Sequence, residues 1–67
     1  MSSNNLSTNI KKLRKKNGIS QEKLARLADV SNNTIIKIEN GKNQNPTLDT
    51  LTKISKVLEV NIDELMR

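Results

Sequence analysis

Between Ile19 and Gly41 the chain reads I-S-Q-E-K-L-A-R-L-A-D-V-S-N-N-T-I-I-K-I-E-N-G, and the same helix-start signal occurs in it twice. Ser20 is suited to cap a helix, with Ile19 before it and Leu24 after it spaced as a hydrophobic staple. Ser31 repeats the arrangement with Val30 and Ile35. Only Asp29 and Val30 separate the end of the first helix from the cap of the second. A connection that short forces the two helices to turn sharply against each other, and this constrains the fold more than any other feature.

The second of these helices carries an unusual outer face. Residues three and four apart share a side of a helix, so Asn32, Asn33, Ile36, Lys37 and Asn40 project together while Ile35 and Ile38 point into a core. Two asparagines followed by Thr34 cost helix propensity without a local gain. An asparagine amide can bond adenine N7 and N6 together, and an aliphatic side chain such as Ile36 can meet the thymine methyl. The face therefore suits the DNA major groove, and the helix pair reads as a helix-turn-helix. The plainer roles are a polar first turn for the asparagines and local packing for Ile36.

Composition limits the alternatives. Sixty-seven residues allow one domain, and a chain of this size buries only about 60% of its unfolded surface. Aromatic residues are absent and 33% of the chain is hydrophobic, so the core is small and aliphatic. Cys and His are absent as well, which excludes disulfides, structural zinc, haem and nucleophile–histidine chemistry. With no paired-carboxylate site or phosphate loop either, the reading is not an enzyme. No cofactor, metal or small-molecule ligand is expected.

The net charge of +5 is unevenly placed. Residues 1–42 hold nine Lys/Arg against three acids (+6), and residues 43–67 hold three against four (−1). A polyanionic partner at the basic end is the natural inference. No apolar run approaches the roughly 20 residues that span a bilayer, and the N-terminus lacks the pattern of a secretory signal. A soluble cytoplasmic protein is expected.

The remaining helices follow from spacing. Residues 1–5 are polar and expected to form a disordered tail, leaving one domain over 6–67. Leu6, Ile10 and Leu13 mark a first helix with Ser7 or Thr8 as cap, ended by Asn17-Gly18. Its lysines, Lys11, Lys12, Lys15 and Lys16, suit a field that steers association rather than fixed contacts. The second helix, Gln21 to about Ala28, buries Leu24, Ala25 and either Leu27 or Ala28. On it Lys23 and Arg26 suit either phosphate contact or solvent. The third, about Asn32 to Glu39, stops at Asn40-Gly41. Thr47 caps a fourth helix whose apolar stripe is Leu48, Leu51, Ile54, Val57 and Leu58. Asn61 and Glu64 form a capping box for a short fifth helix, Ile62 to about Met66, with Val60 and Leu65 as a third staple. An all-α, five-helix domain is expected.

These residues resemble the Cro/phage-repressor (XRE-type) helix-turn-helix family over roughly Ile10 to Met66. The resemblance is carried by L-R-K-K-N-G-I-S-Q-E-K-L-A, V-S-N-N-T-I-I-K-I-E-N-G-K, N-P-T-L-D-T-L-T-K-I-S-K-V-L-E-V and I-D-E-L. It implies a lambda-repressor-like domain that binds operator DNA as a dimer and regulates transcription, most simply as a repressor. Position by position, Ser31, Asn32, Asn33 and Lys37 match base-reading positions. Gln21, Asn40 and Lys42 match phosphate contacts, with Asn43 beside them, and Arg14 and Glu39 match a largely buried ion pair. The C-terminal region matches a dimer surface, for which Val57, Val60, Ile62, Leu65 and Met66 are the candidates. Asp29 departs from the family's usual turn glycine, and Ile36 stands where a small polar residue is more common. The same fold also serves antitoxins and other partner-binding modules, and N-terminal domains of larger regulators, so those readings stand beside the first.

Overall fold

The computed structural model describes residues 5–67, and the expected tail lies outside them except for Asn5. Five helices occur among the described residues: α1 Leu6–Lys16, α2 Gln21–Ala28, α3 Asn32–Glu39, α4 Leu48–Leu58 and α5 Ile62–Met66. The boundaries follow the caps. Ser20 Oγ accepts from the Lys23 N–H, Ser31 Oγ from Thr34 and Thr47 Oγ1 from Thr50, each satisfying a donor that the first turn leaves without a partner. At α5 the capping box closes from both sides, Asn61 Oδ1 accepting from the Glu64 N–H and Glu64 Oε1 from the Asn61 N–H.

α1 differs from expectation at its start. Asn5, not Ser7 or Thr8, occupies the cap position, and its side chain makes no cap bond. The side chain reaches across the domain instead, Nδ2 donating to the Arg67 carbonyl at 2.9 Å, while Asn9 Nδ2 donates to the Leu65 carbonyl at 2.8 Å. Two amides at the start of the chain's first helix thus satisfy carbonyls that a short terminal helix leaves open.

The core is one aliphatic cluster drawn from every helix, with Ile10, Leu24, Ile35, Ile38, Ile54 and Leu65 fully buried. α3 packs on α1 and α2, α4 closes over α2, and α5 over α1 and α4. In each of the three staples the leading residue (Ile19, Val30, Val60) sits half-buried against this cluster and its partner is fully buried. On α2 the core takes Ala28, and Leu27 stays 54% exposed, because Leu27 lies more than a quarter-turn from the centre of the line formed by Leu24, Ala25 and Ala28. Leu48 corrects the expected stripe of α4. It is 70% exposed, since it opens the first turn about a quarter-turn away from the line of Leu51, Ile54 and Leu58. Among the described residues no helix is long and apolar enough to cross a membrane.

Two helices end on a non-glycine residue in the left-handed conformation: Asp29 (φ 58°) and Glu59 (φ 59°). Behind Asp29, Val30 N–H donates to the Ala25 carbonyl and Asp29 N–H to Arg26, and Glu59 and Val60 repeat the pattern on Lys56 and Ser55. Aspartate tolerates this region better than most residues, whereas glutamate gains nothing there. Glu59→Gly should therefore raise stability by about 0.5–1 kcal/mol, the relief of strain exceeding glycine's greater freedom in the unfolded chain. Thermal unfolding followed by circular dichroism checks this. A lower midpoint for the variant would mean that the Glu59 side chain contributes a contact worth more than the strain.

Candidate nucleic-acid interface

α3 is held by the burial of one side only. Ile35, Ile38 and Glu39 are buried, while Ser31, Asn32, Asn33, Lys37 and Asn40 are exposed and Ile36 is half-buried. The expected outward face is therefore present as a surface of amides, one lysine and one isoleucine. Ser31 serves twice there, since its hydroxyl caps α3 and also lies 2.8 Å from Thr34 Oγ1. One of the two hydroxyls thus retains a proton to donate outward.

The buried edge of α3 carries the charge that fixes the domain's geometry. Arg14 Nε donates to Glu39 Oε2 at 2.7 Å and Nη2 to Oε1 at 3.1 Å, a two-pronged pair whose side chains are 12% and 2% exposed. Arg14 Nη1 donates to the Ile19 carbonyl at 2.8 Å, so the guanidinium also ties down the α1–α2 turn. The hydrogen bond with Glu39, opposed by partial burial, holds the Arg14 pKa above its ordinary value, and the guanidinium stays charged. No buried side-chain polar atom among the described residues lacks a partner.

Gln21 joins this pair, a link with no signal in the sequence. Its Nε2 donates to Glu39 Oε1 at 3.0 Å, which orients the amide at the first position of α2 and leaves its second N–H to give. Beyond Glu39 the chain turns at Asn40-Gly41, where Asn40 Oδ1 accepts from the Lys42 N–H at 2.9 Å. Gly41 supplies the left-handed residue at φ 82°. Asn43 N–H donates to the Lys37 carbonyl at 3.0 Å and Asn43 Oδ1 accepts from Asn45, folding the loop back against α3. Gln21, Asn40, Lys42 and Asn43 are thus gathered by hydrogen bonds around one end of α3, while Asn32 and Asn33 occupy the other, about 12 Å away for an eight-residue helix.

The C-terminal candidates divide. Val57, Val60, Ile62 and Met66 are half-buried against the core and keep part of their surface. Leu65 is fully buried and is removed from the set: as the second member of the Val60 staple it fills its own domain.

A helix-turn-helix family profile matches residues 10–65. An uncharacterized HTH-type transcriptional regulator of Archaeoglobus fulgidus is 40% identical over 58 residues, covering 87% of this chain and 81% of the relative. The N-terminal DNA-binding domain of SinR from Bacillus subtilis superposes with a TM-score of 0.87 at 35% identity, covering 90% of this chain and 87% of that one. The P22 c2 repressor, solved with a synthetic operator, gives a TM-score of 0.86 at 31% identity over 92% of both chains. With the whole motif matched in order and its ion pair and caps in place, the chain belongs to the XRE-type helix-turn-helix family, a family of DNA-binding transcriptional regulators and not of enzymes.

Proposed function

We propose that this chain binds operator DNA sequence-specifically as a homodimer and represses transcription by occupying a promoter. The observation that carries the reading is the outward face of α3, where amides and Lys37 are exposed and the helix's one carboxylate, Glu39, is buried and neutralised. In this reading α3 enters the major groove. Asn32, Asn33 and Lys37 face base edges, with Ser31 at their start, while Gln21, Asn40, Lys42 and Asn43 hold phosphates. The operator complex of the P22 c2 repressor, which shares the fold, supports the same docking. Among the described residues Lys11, Lys12, Lys15 and Lys16 of α1 form no salt bridge, so their charge is left to steer encounter with DNA. Selection of bound duplexes from random DNA tests the reading, which predicts an enriched inverted repeat and fails if no sequence is enriched.

Binding should also be steeply salt-dependent. About four phosphates held by each of two subunits gives a slope of log K against log salt near −7, from about −0.9 per phosphate. Lys42→Ala should flatten the slope by about one for each phosphate it releases and leave the preferred sequence unchanged. Titrations across a range of salt concentrations measure both, and a wild-type slope near zero would be incompatible with phosphate anchoring.

A further inference from the structure

We propose that Ile36 reads the C5-methyl group of a thymine, so that a methyl contact as well as hydrogen bonds specifies the half-site under α3. The inference rests on the DNA-binding reading above and assigns chemistry to a residue that the fold leaves unused. Ile35 and Ile38 are fully buried, and half-buried aliphatic side chains such as Ile19 and Val30 pack against the core. Ile36 is half-buried too but lies outside that packing. It stands in the middle of the polar face, with Asn32 and Asn33 one turn before it, Asn40 one turn after and Lys37 beside it. A β-branched residue there has lower helix propensity than lysine, glutamine or alanine, and its methyls are withheld from the core. What it can offer is an apolar patch set among hydrogen-bonding groups.

The major groove offers a matching group on thymine, whose C5-methyl stands beside the O4 acceptor. Cytosine would instead present its N4 amine, which calls for a carboxylate acceptor. The carboxylate of α3 belongs to Glu39, turned inward and occupied by Arg14 and Gln21. The neighbouring asparagines suit adenine. Ile36 with Asn32 and Asn33 thus favours a half-site containing A·T pairs, with the thymine methyl under Ile36.

The test uses the operator selected by this protein from random DNA, with each thymine replaced in turn by deoxyuridine. That change removes one methyl and keeps every hydrogen-bonding group. In the wild type, one thymine per half-site should respond with about a fourfold rise in Kd, the worth of one buried methyl-sized group. Ile36→Ala should bind the thymine and uracil duplexes alike at that position while other positions respond as before. Both duplexes are measured against one protein, so any change in the variant's stability cancels. A 5-methylcytosine·guanine pair at the same place offers the methyl without O4, and the wild type should bind it more tightly than unmethylated cytosine·guanine while Ile36→Ala does not; no gain from that methyl would overturn the contact. Indifference to uracil throughout, or a response that persists in Ile36→Ala, overturns the contact itself. If selection enriches no sequence, the DNA reading falls with it, whereas an operator bound without regard to uracil sinks this inference alone.

Discussion

Replacing Glu39 by alanine should lower folding stability by about 3 kcal/mol, because it strands the Arg14 guanidinium in a site with little access to water. For a domain of this size that loss corresponds to a fall of roughly 12–24 °C in melting midpoint. The carboxylate receives three donors: Arg14 Nε, Arg14 Nη2 and Gln21 Nε2. It sits at the C-terminal end of α3, where the helix dipole disfavours negative charge, so the arginine is needed to hold it there. Glu39→Gln keeps the shape and should cost less than alanine. Replacing Arg14 and Glu39 together by methionine should recover much of the loss, since no charge is then left unpaired. Chemical denaturation of the four proteins checks the set, and an alanine variant as stable as the wild type would rule out the buried pair as a determinant of the fold.

The same pair sets what pH can do. Glu39 raises the folded-state pKa of Arg14, so the arginine's contribution is complete below the pKa of the free side chain. It is lost only as pH climbs through the raised folded value, in strong alkali. Arg14 therefore adds no titration of stability through the neutral range. Because Gln21 is tethered to Glu39, the single variants should also weaken DNA binding by loosening the phosphate contact proposed for Gln21, without altering the preferred sequence.

Much of this architecture is legible in the sequence because local chemistry and global packing agree. Ser20, Ser31, Thr47 and Asn61 each cap the helix they announce, and Gly18 and Gly41 adopt the positive φ that their positions after α1 and α3 suggest. What could not be read has physical reasons. Glu59 ends α4 in a left-handed conformation that glutamate does not signal. Leu27 and Leu48 obey an apolar pattern but fall a quarter-turn outside it, a distinction that spacing alone blurs. The amides of Asn5 and Asn9 bridge to carbonyls more than fifty positions away, and nothing local marks such a pairing. At the candidate site the outward face of α3 is plain from period alone. The bond that joins Gln21 to the Arg14–Glu39 pair needed the three-dimensional arrangement.

Substituting Met66 by aspartate should leave the domain folded and reduce affinity for an inverted-repeat operator by about 10²-fold or more. A single helix-turn-helix reads only a few base pairs, so two copies are needed to select a site, with recognition helices about 34 Å apart. The principal extents of the domain, 31 × 21 × 21 Å, allow two touching copies to hold that spacing. Residues 1–42 carry +6 and would repel their copies, whereas residues 43–67 carry −1. The joining surface is therefore expected at α5 and the end of α4, where Val57, Val60, Ile62 and Met66 keep exposed area and Ile62 and Met66 are foremost. In the proposed homodimer so few side chains would make a small interface and a weak association in isolation, one that DNA would strengthen by placing two copies side by side. Loss of the second subunit's contribution accounts for the predicted drop, because linked sites gain about 10²–10⁴ over either alone. Binding to an isolated half-site should be unchanged in Met66→Asp, which separates a broken interface from a damaged reading helix. Sedimentation at micromolar concentration, with and without the operator duplex, supplies the decisive measurement. A wild-type protein that stays monomeric on the duplex and fills half-sites independently would end the case for a dimer.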